Sequence, residues 1–209
     1  MEPSRSYFDL IVETTDFVTH IHETHAPGNI LVFLPGQSEI SAVCGMLKKY
    51  TEGLDIFPLY SKLESGSQEL ALKSSGPNRK CIVSTNIAET SLTIEGVVYV
   101  VDTGLEKQLI YDHRLGIEML RAVRISQASA KQRTGRAGRT QDGVCYRLYS
   151  KQDFDRLALS TKPMIQRAAV HSATLKLLAA GHTMIVDLDW IDAPSPEAIA
   201  RATQDLQDW

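Results

Sequence analysis

With 209 residues, 43% of them hydrophobic and 22% charged, the chain suits one globular domain, or one domain plus part of a second, and is too apolar for general disorder. A formal net charge of −3 excludes nucleic-acid binding by bulk charge, so any such binding must rest on a local basic patch. MEPSRSYFDL lacks the apolar core of a signal peptide and no apolar run approaches the roughly 18 residues of a membrane span, so a soluble, intracellular protein is expected.

Tyr7 to His25 carries Phe8, Ile11, Val12, Phe17, Val18 and Ile21 as a helical stripe, stopped by Pro27 and Gly28. Ile30 to Leu34 (ILVFL) is wholly apolar and bounded by turn residues, as a buried central strand should be. PGQSEI then opens a helix with Ser38 as its cap, running through Val43, Leu47 and Tyr50. Ile56 to Tyr60 gives a second strand, Ser67 to Lys73 a short helix, Lys80 to Ser84 a third strand and Val97 to Val101 a fourth. From Glu106 to Arg124 the segments KQLIYD and IEMLRAV flank HRLG, whose Gly116 suits a turn, so an inserted β-hairpin is predicted. Gly143 to Tyr149 is the last strand. Met164 to Ala180 has a helical apolar pattern closed by Gly181, and Pro194 and Pro196 precede a final helix. This alternation predicts an α/β fold, a mainly parallel sheet covered by helices. A domain boundary is placed near residue 160. Residues 161–209 are short for an independent domain and are read as the beginning of one that is truncated.

Cys44, Cys81 and Cys145 are far apart, odd in number and set in apolar stretches, which favours free buried thiols over a metal site. His20, His22 and His25 lie close together and are read as a polar helix end. No metal-ligating set is expected.

The most informative stretch is QRTGRAGR, Gln132 to Arg139, which offers an amide and three permanently charged guanidiniums, Arg133, Arg136 and Arg139. Arg136 and Arg139 are three apart and on a helical turn would converge on one anion, while Gly135 and Gly138 would admit phosphates close to the backbone. From Arg121 to Arg139 there are six basic residues and no acidic one. A second stretch, STNIAETSLTI (Ser84 to Ile94), follows a strand directly, where ligands bind in open α/β sheets. Its Thr85, Asn86, Thr90, Ser91 and Thr93 suit phosphates, sugar hydroxyls or water; Asn86 and Glu89 also fit a helix capping box.

LVFLPGQSEI, TNIAETSLTI and SQASAKQRTGRAGR, in this order, resemble the second RecA-like domain of the DEAH-box (DEAH/RHA) RNA helicases of superfamily 2, motors that couple nucleoside triphosphate hydrolysis to movement along RNA. The resemblance is strong from Ile30 to about Gln152 and looser beyond, where IQRAAVHSATLKLLAAG resembles the opening of that family's winged-helix domain. It implies a RecA-like fold in 1–160 and the start of a winged-helix domain in 161–209. It also implies that Arg136 and Arg139 are arginine fingers reaching the γ-phosphate across a cleft and that Gln132 positions the attacking water. Ser91, Thr93, Glu95, Gly135 and Leu72 would lie at the nucleotide, and Thr85, Asn86, Gly36 and Gln37 at the RNA backbone. The hairpin would act as a wedge or strand guide. Leu72 stands where the family often has a base-stacking Phe, Glu95 where an Asp is usual and Thr103 where Pro is common.

The implied cofactor is ATP or another NTP with Mg²⁺, and the implied partners are single-stranded RNA, the first RecA-like domain and an adaptor protein. The nucleus is the favoured compartment. No G-x-x-x-x-G-K-[ST] and no DEAH-like acidic pair occur in the chain. The expectation is therefore the C-terminal half of a helicase, inactive by itself because the phosphate lysine and the Mg²⁺-holding acid are missing. The alternative is a non-catalytic RNA- or protein-interaction module that keeps the RecA-like fold.

Overall fold

The computed structural model describes residues 6–73, 76–90, 92–112, 115–139, 141–182 and 184–208. Its centre is a five-stranded, wholly parallel sheet. The strands are β1 (Asn29–Phe33), β2 (Leu54–Leu59), β3 (Arg79–Ser84), β4 (Val97–Asp102) and β7 (Val144–Arg147), in the order β2-β3-β1-β4-β7. β1 is paired on both sides and Ile30 to Phe33 are fully buried, which is why that run has no polar member. β2 forms one edge, so Pro58, which cannot donate a ladder hydrogen bond, is tolerated there.

The strands alternate between two cores. Ile30, Val32, Cys81, Val83 and Val101 face α1 (Tyr7–Thr24) and α2 (Gln37–Tyr50), which bring Ile11, Val18, Ile21, Ile40, Val43 and Leu47. Leu31, Phe33, Ile82 and Val100 meet Ala71 of α3 (Ser65–Lys73), Ala88 of α4 (Ile87–Thr90) and Ala137. A smaller cluster joins Ile125 to Ala130 of α5 (Gln127–Thr134) and to Leu157, just beyond α6 (Lys151–Asp155). The fold class is thus the predicted α/β, RecA-like sheet. The inserted hairpin is present as β5 (Leu105–Asp112) and β6 (Ile117–Arg124), with Gly116 at φ +68; His113 and Arg114 of the predicted turn lie outside the described residues. No helix of the described residues is long and apolar enough to cross a membrane.

The chain divides into two compact units. One comprises Met1–Lys107 and Ala122–Thr161, the other Gln108–Arg121 and Lys162–Trp209. The second unit adds α7 (His171–Ala179), α8 (Pro196–Gln207) and two single 3-10 turns, Met164–Gln166 and Ile185–Asp187, with a small core of Val170, Ala198 and Ala202.

Three local expectations are corrected. The helix predicted over Met164–Ala180 is broken, because backbone groups at its start bind the hairpin: Tyr111 N–H donates to Arg167 O (2.7 Å) and Ala169 N–H to Glu118 Oε1 (3.0 Å). Ser38 does not cap α2. Gly36 holds the cap position with extended backbone, and Ser38 Oγ donates to Glu39 Oε2. The Asn86–Glu89 capping box does not form, since each side chain has another partner: Asn86 Nδ2 donates to Glu106 Oε2 (3.3 Å), and Glu89 binds Arg133.

That last bond belongs to a buried polar centre. Arg133 is 0% exposed and donates from Nε to Glu89 Oε2 (3.1 Å) and from Nη1 to Asp102 Oδ1 (2.8 Å) and Leu105 O (3.2 Å). Its guanidinium lies 4.8 Å from the centre of the Phe33 ring. Asp102, also 0% exposed, accepts from Gly104 N–H and from the Tyr149 hydroxyl (2.9 Å). Burial works against the charge on Arg133, but Asp102 and Glu89 outweigh it and hold the guanidinium above its ordinary value. Burial, reinforced by the Asp102 carboxylate, pushes the Tyr149 phenol well up. Arg133 is therefore an interior residue.

Two stability outcomes follow from this packing. Arg133→Met leaves two buried carboxylates uncompensated and should cost about 3–5 kcal/mol in denaturant unfolding, whereas Arg139→Ala, on the surface, should stay within about 0.5 kcal/mol. Gly143→Ala would put a Cβ against the carbonyl oxygens of Ala137 and Val98, the latter at 2.6 Å. Because both neighbours are backbone, it should lower stability by about 1–3 kcal/mol or more; unchanged thermal unfolding would refute the packing described for this turn.

Candidate functional site

All strands of the sheet run one way, so the segments that leave their carboxyl ends gather at one edge. Pro35 to Gln37 leave β1, Tyr60 leaves β2, Thr85 and Asn86 leave β3, and Thr103 and Gly104 leave β4. The edge is tightly tied. Thr85 N–H donates to Leu59 O (3.1 Å), Gln37 Nε2 to the Tyr60 hydroxyl (3.2 Å) and Thr103 Oγ1 to Phe33 O (2.7 Å). Gly36 is buried, and a Cβ there would meet Lys107 Cδ at 2.8 Å and Glu39 Oε2 at 2.9 Å. Lys107 itself forms an ion pair with Glu39 (3.0 Å). The structure thus brings Gly36, Gln37, Thr85 and Asn86 together at one edge, with Gln37 and Asn86 exposed and Thr85 half-buried. Sequence reasoning had left out Tyr60 and Lys107; its one available signal for Lys107 was a cation directly after the β4 turn.

The arginine motif packs against α4, with Arg133 bonded to Asp102 and Leu105 O beside the carboxyl end of β4. Gln132 lies exposed on α5, and Gly135 caps the helix at φ −64. Arg136 is only 3% exposed. It donates from Nε to the main-chain oxygen of Glu89 (2.8 Å), from Nη2 to the same oxygen, and from Nη1 to Leu92 O (2.6 Å). Burial and the like charge of Arg139 lower its pKa, and Glu89 partly offsets them. Arg139 is exposed. Neither glycine is demanded by the protein's own packing. An added Cβ would sit 3.5 Å from the nearest carbonyl oxygens at Gly135 and would meet nothing within 4 Å at Gly138.

The remaining predicted residues lie between these groups or beyond them. Thr90, Thr93 and Glu95 are exposed on α4 and the segment after it, with Glu95 O accepting from Asn29 Nδ2 (3.3 Å). Ser91 lies outside the described residues. Leu72 is half-buried and packs on the second core. Among the described residues no group of three or more His, Cys, Asp and Glu could hold a metal ion. The histidines near the end of α1 have other partners: His25 Nε2 is 2.7 Å from the Tyr146 hydroxyl and His22 Nε2 is 3.0 Å from Glu52 O. Cys44 and Cys81 are buried and Cys145 half-buried, all free; burial pushes the Cys44 thiol up to about 11.

Comparison with known proteins places this geometry. The family described as helicase conserved C-terminal domain matches residues 13–141. The ATP-dependent RNA helicase DEAH12, chloroplastic, of Arabidopsis thaliana is 44% identical over 194 residues, covering 93% of this chain and 11% of that protein. The pre-mRNA-splicing factor ATP-dependent RNA helicase prp22 of Schizosaccharomyces pombe is 41% identical over 214 residues, covering 98% of this chain and 18% of that one. The crystal structure of the Escherichia coli DExH-box NTPase HrpB superposes with a TM-score of 0.86 at 34% identity, over 98% of this chain and 25% of that chain. The chain thus spans between about a tenth and a fifth of the length of these curated relatives. On its sheet, its two motifs and these likenesses, the chain belongs to the helicase conserved C-terminal domain family, in the DEAH-box (DEAH/RHA) branch of superfamily 2.

Proposed function

We propose that this chain is the C-terminal motor half of an ATP-dependent DEAH-box RNA helicase, with 1–160 as the second RecA-like domain and 161–209 as the beginning of a winged-helix domain. The observation that carries the reading is the pair Arg136 and Arg139, three residues apart, with two glycines beside them where an added Cβ would meet nothing closer than 3.5 Å. Such an arrangement fits a polyanion that enters from outside the domain.

ATP with Mg²⁺ would be held mainly by the first RecA-like domain, which carries the phosphate lysine and the acid that this chain lacks. Bound there, the nucleotide supplies a phosphoryl group for transfer to water. Arg136 and Arg139 would offset the charge on the terminal phosphate, and the Gln132 amide would orient the attacking water. Phosphoryl transfer depends on positioning and charge stabilisation more than on covalent chemistry. Thr93, Glu95, Ser91, Gly135 and Leu72 complete the proposed nucleotide side. On the carboxyl edge, Thr85, Asn86, Gly36 and Gln37 would touch the RNA backbone through neutral groups, which grips any sequence equally. The hairpin β5–β6 would guide the strand. Action inside the cell accords with the chloroplastic and pre-mRNA-splicing names of the relatives, and the nucleus is our proposed compartment.

The test is an RNA-stimulated ATPase assay on the chain joined to its preceding RecA-like domain. Arg136→Ala or Arg139→Ala should lower kcat by roughly 10³-fold or more, the scale of an arginine finger; full activity in either variant would remove that residue from the catalytic set. Thr85→Ala with Asn86→Ala should weaken single-stranded RNA binding to a similar degree for every base sequence. Unaltered affinity would refute the RNA contacts.

A further inference from the structure

Arg136 does not stand free to meet a ligand. Three of its donors are spent on main-chain oxygens, two bonds to Glu89 and one to Leu92. A guanidinium has five N–H groups in a rigid plane, so fixing three of them fixes the direction in which the other two point. The orientation of this proposed catalytic arginine is therefore set by where the Glu89 carbonyl lies.

Glu89 is itself held from the other end. Its carboxylate accepts from Arg133 Nε (3.1 Å), and Arg133 is anchored in turn by Asp102, whose second oxygen accepts the Tyr149 hydroxyl. One residue thus joins both arginines, Arg133 through its side chain and Arg136 through its backbone. It also sits on a helix of four residues that starts directly after Thr85 and Asn86. Glu89 N–H donates to Asn86 O (2.9 Å), and Ala88 N–H to Thr85 O (3.3 Å), so the lever between them is short and hydrogen-bonded throughout.

We propose that Glu89 is the positioning residue for Arg136. Its anchored carbonyl aims the guanidinium. This inference rests on the function proposed above. Glu89 touches neither nucleotide nor RNA; it acts through the arginine.

The experiment is a double-mutant cycle in the full-length helicase, reading kcat and KM for ATP with and without RNA. Glu89→Ala removes the anchor and should lower RNA-stimulated kcat by about 10- to 100-fold, the scale of a small misalignment, with KM for ATP unchanged within about two-fold. Glu89→Gln keeps the side-chain length and an acceptor oxygen for Arg133, and should recover most of that loss. In the Arg136→Ala background, Glu89→Ala should add almost nothing, because both changes act through one guanidinium. Full additivity of the two losses, a loss confined to KM, or wild-type kcat in Glu89→Ala would each overturn the positioning role while leaving the motor assignment standing. An Arg136→Ala enzyme as active as wild type would instead overturn the finger assignment, and Glu89 as its positioner with it.

Discussion

A fully buried arginine between two buried carboxylates is the contact on which the rest of this structure depends. Asp102 closes strand β4, Glu89 lies in the short helix after β3, and Arg133 arrives from α5. Each charge would be costly alone in an apolar interior, and the three are tolerable only because they pair with one another. Through them the ends of two central strands are tied to α5, from whose C-terminus the rest of the arginine motif emerges. The register of that motif against the sheet is therefore fixed by electrostatics as much as by packing.

The same tie explains how one domain presents two surfaces. The carboxyl edge displays neutral amides and hydroxyls on segments held by backbone hydrogen bonds. The α4 face carries charge, with Arg136 buried against main-chain oxygens and Arg139 exposed. Neutral groups suit a backbone that must slide past, and fixed cations suit a phosphate that must be held. Four residues of helix separate the two.

Much of this was legible in the sequence. Runs such as ILVFL and KCIVS announce buried parallel strands because both faces of such strands are covered, and the hairpin is announced by Gly116 between two β-rich segments. The site motifs were legible as motifs, and the edge group of Gly36, Gln37, Thr85 and Asn86 assembles as strand ends must. What local pattern could not supply was partnership over distance. Arg133, Arg136 and Arg139 look alike in QRTGRAGR, and only their distant partners tell them apart: carboxylates of Glu89 and Asp102 for Arg133, main-chain oxygens for Arg136, while Arg139 is exposed. Asn86 and Glu89 have the spacing of a capping box, yet side chains far along the chain outbid the local backbone. The break at Arg167 to Val170 likewise arises from hairpin residues more than 50 positions earlier.

The buried triad also dictates an order of events during synthesis. Glu89 and Asp102 leave the ribosome well before Arg133, which follows them by 44 and 31 residues. Until it arrives, the sheet made by β1 to β4 cannot close over those carboxylates without burying bare negative charge. Closing that interior over both carboxylates therefore calls for one late cation, Arg133 of α5.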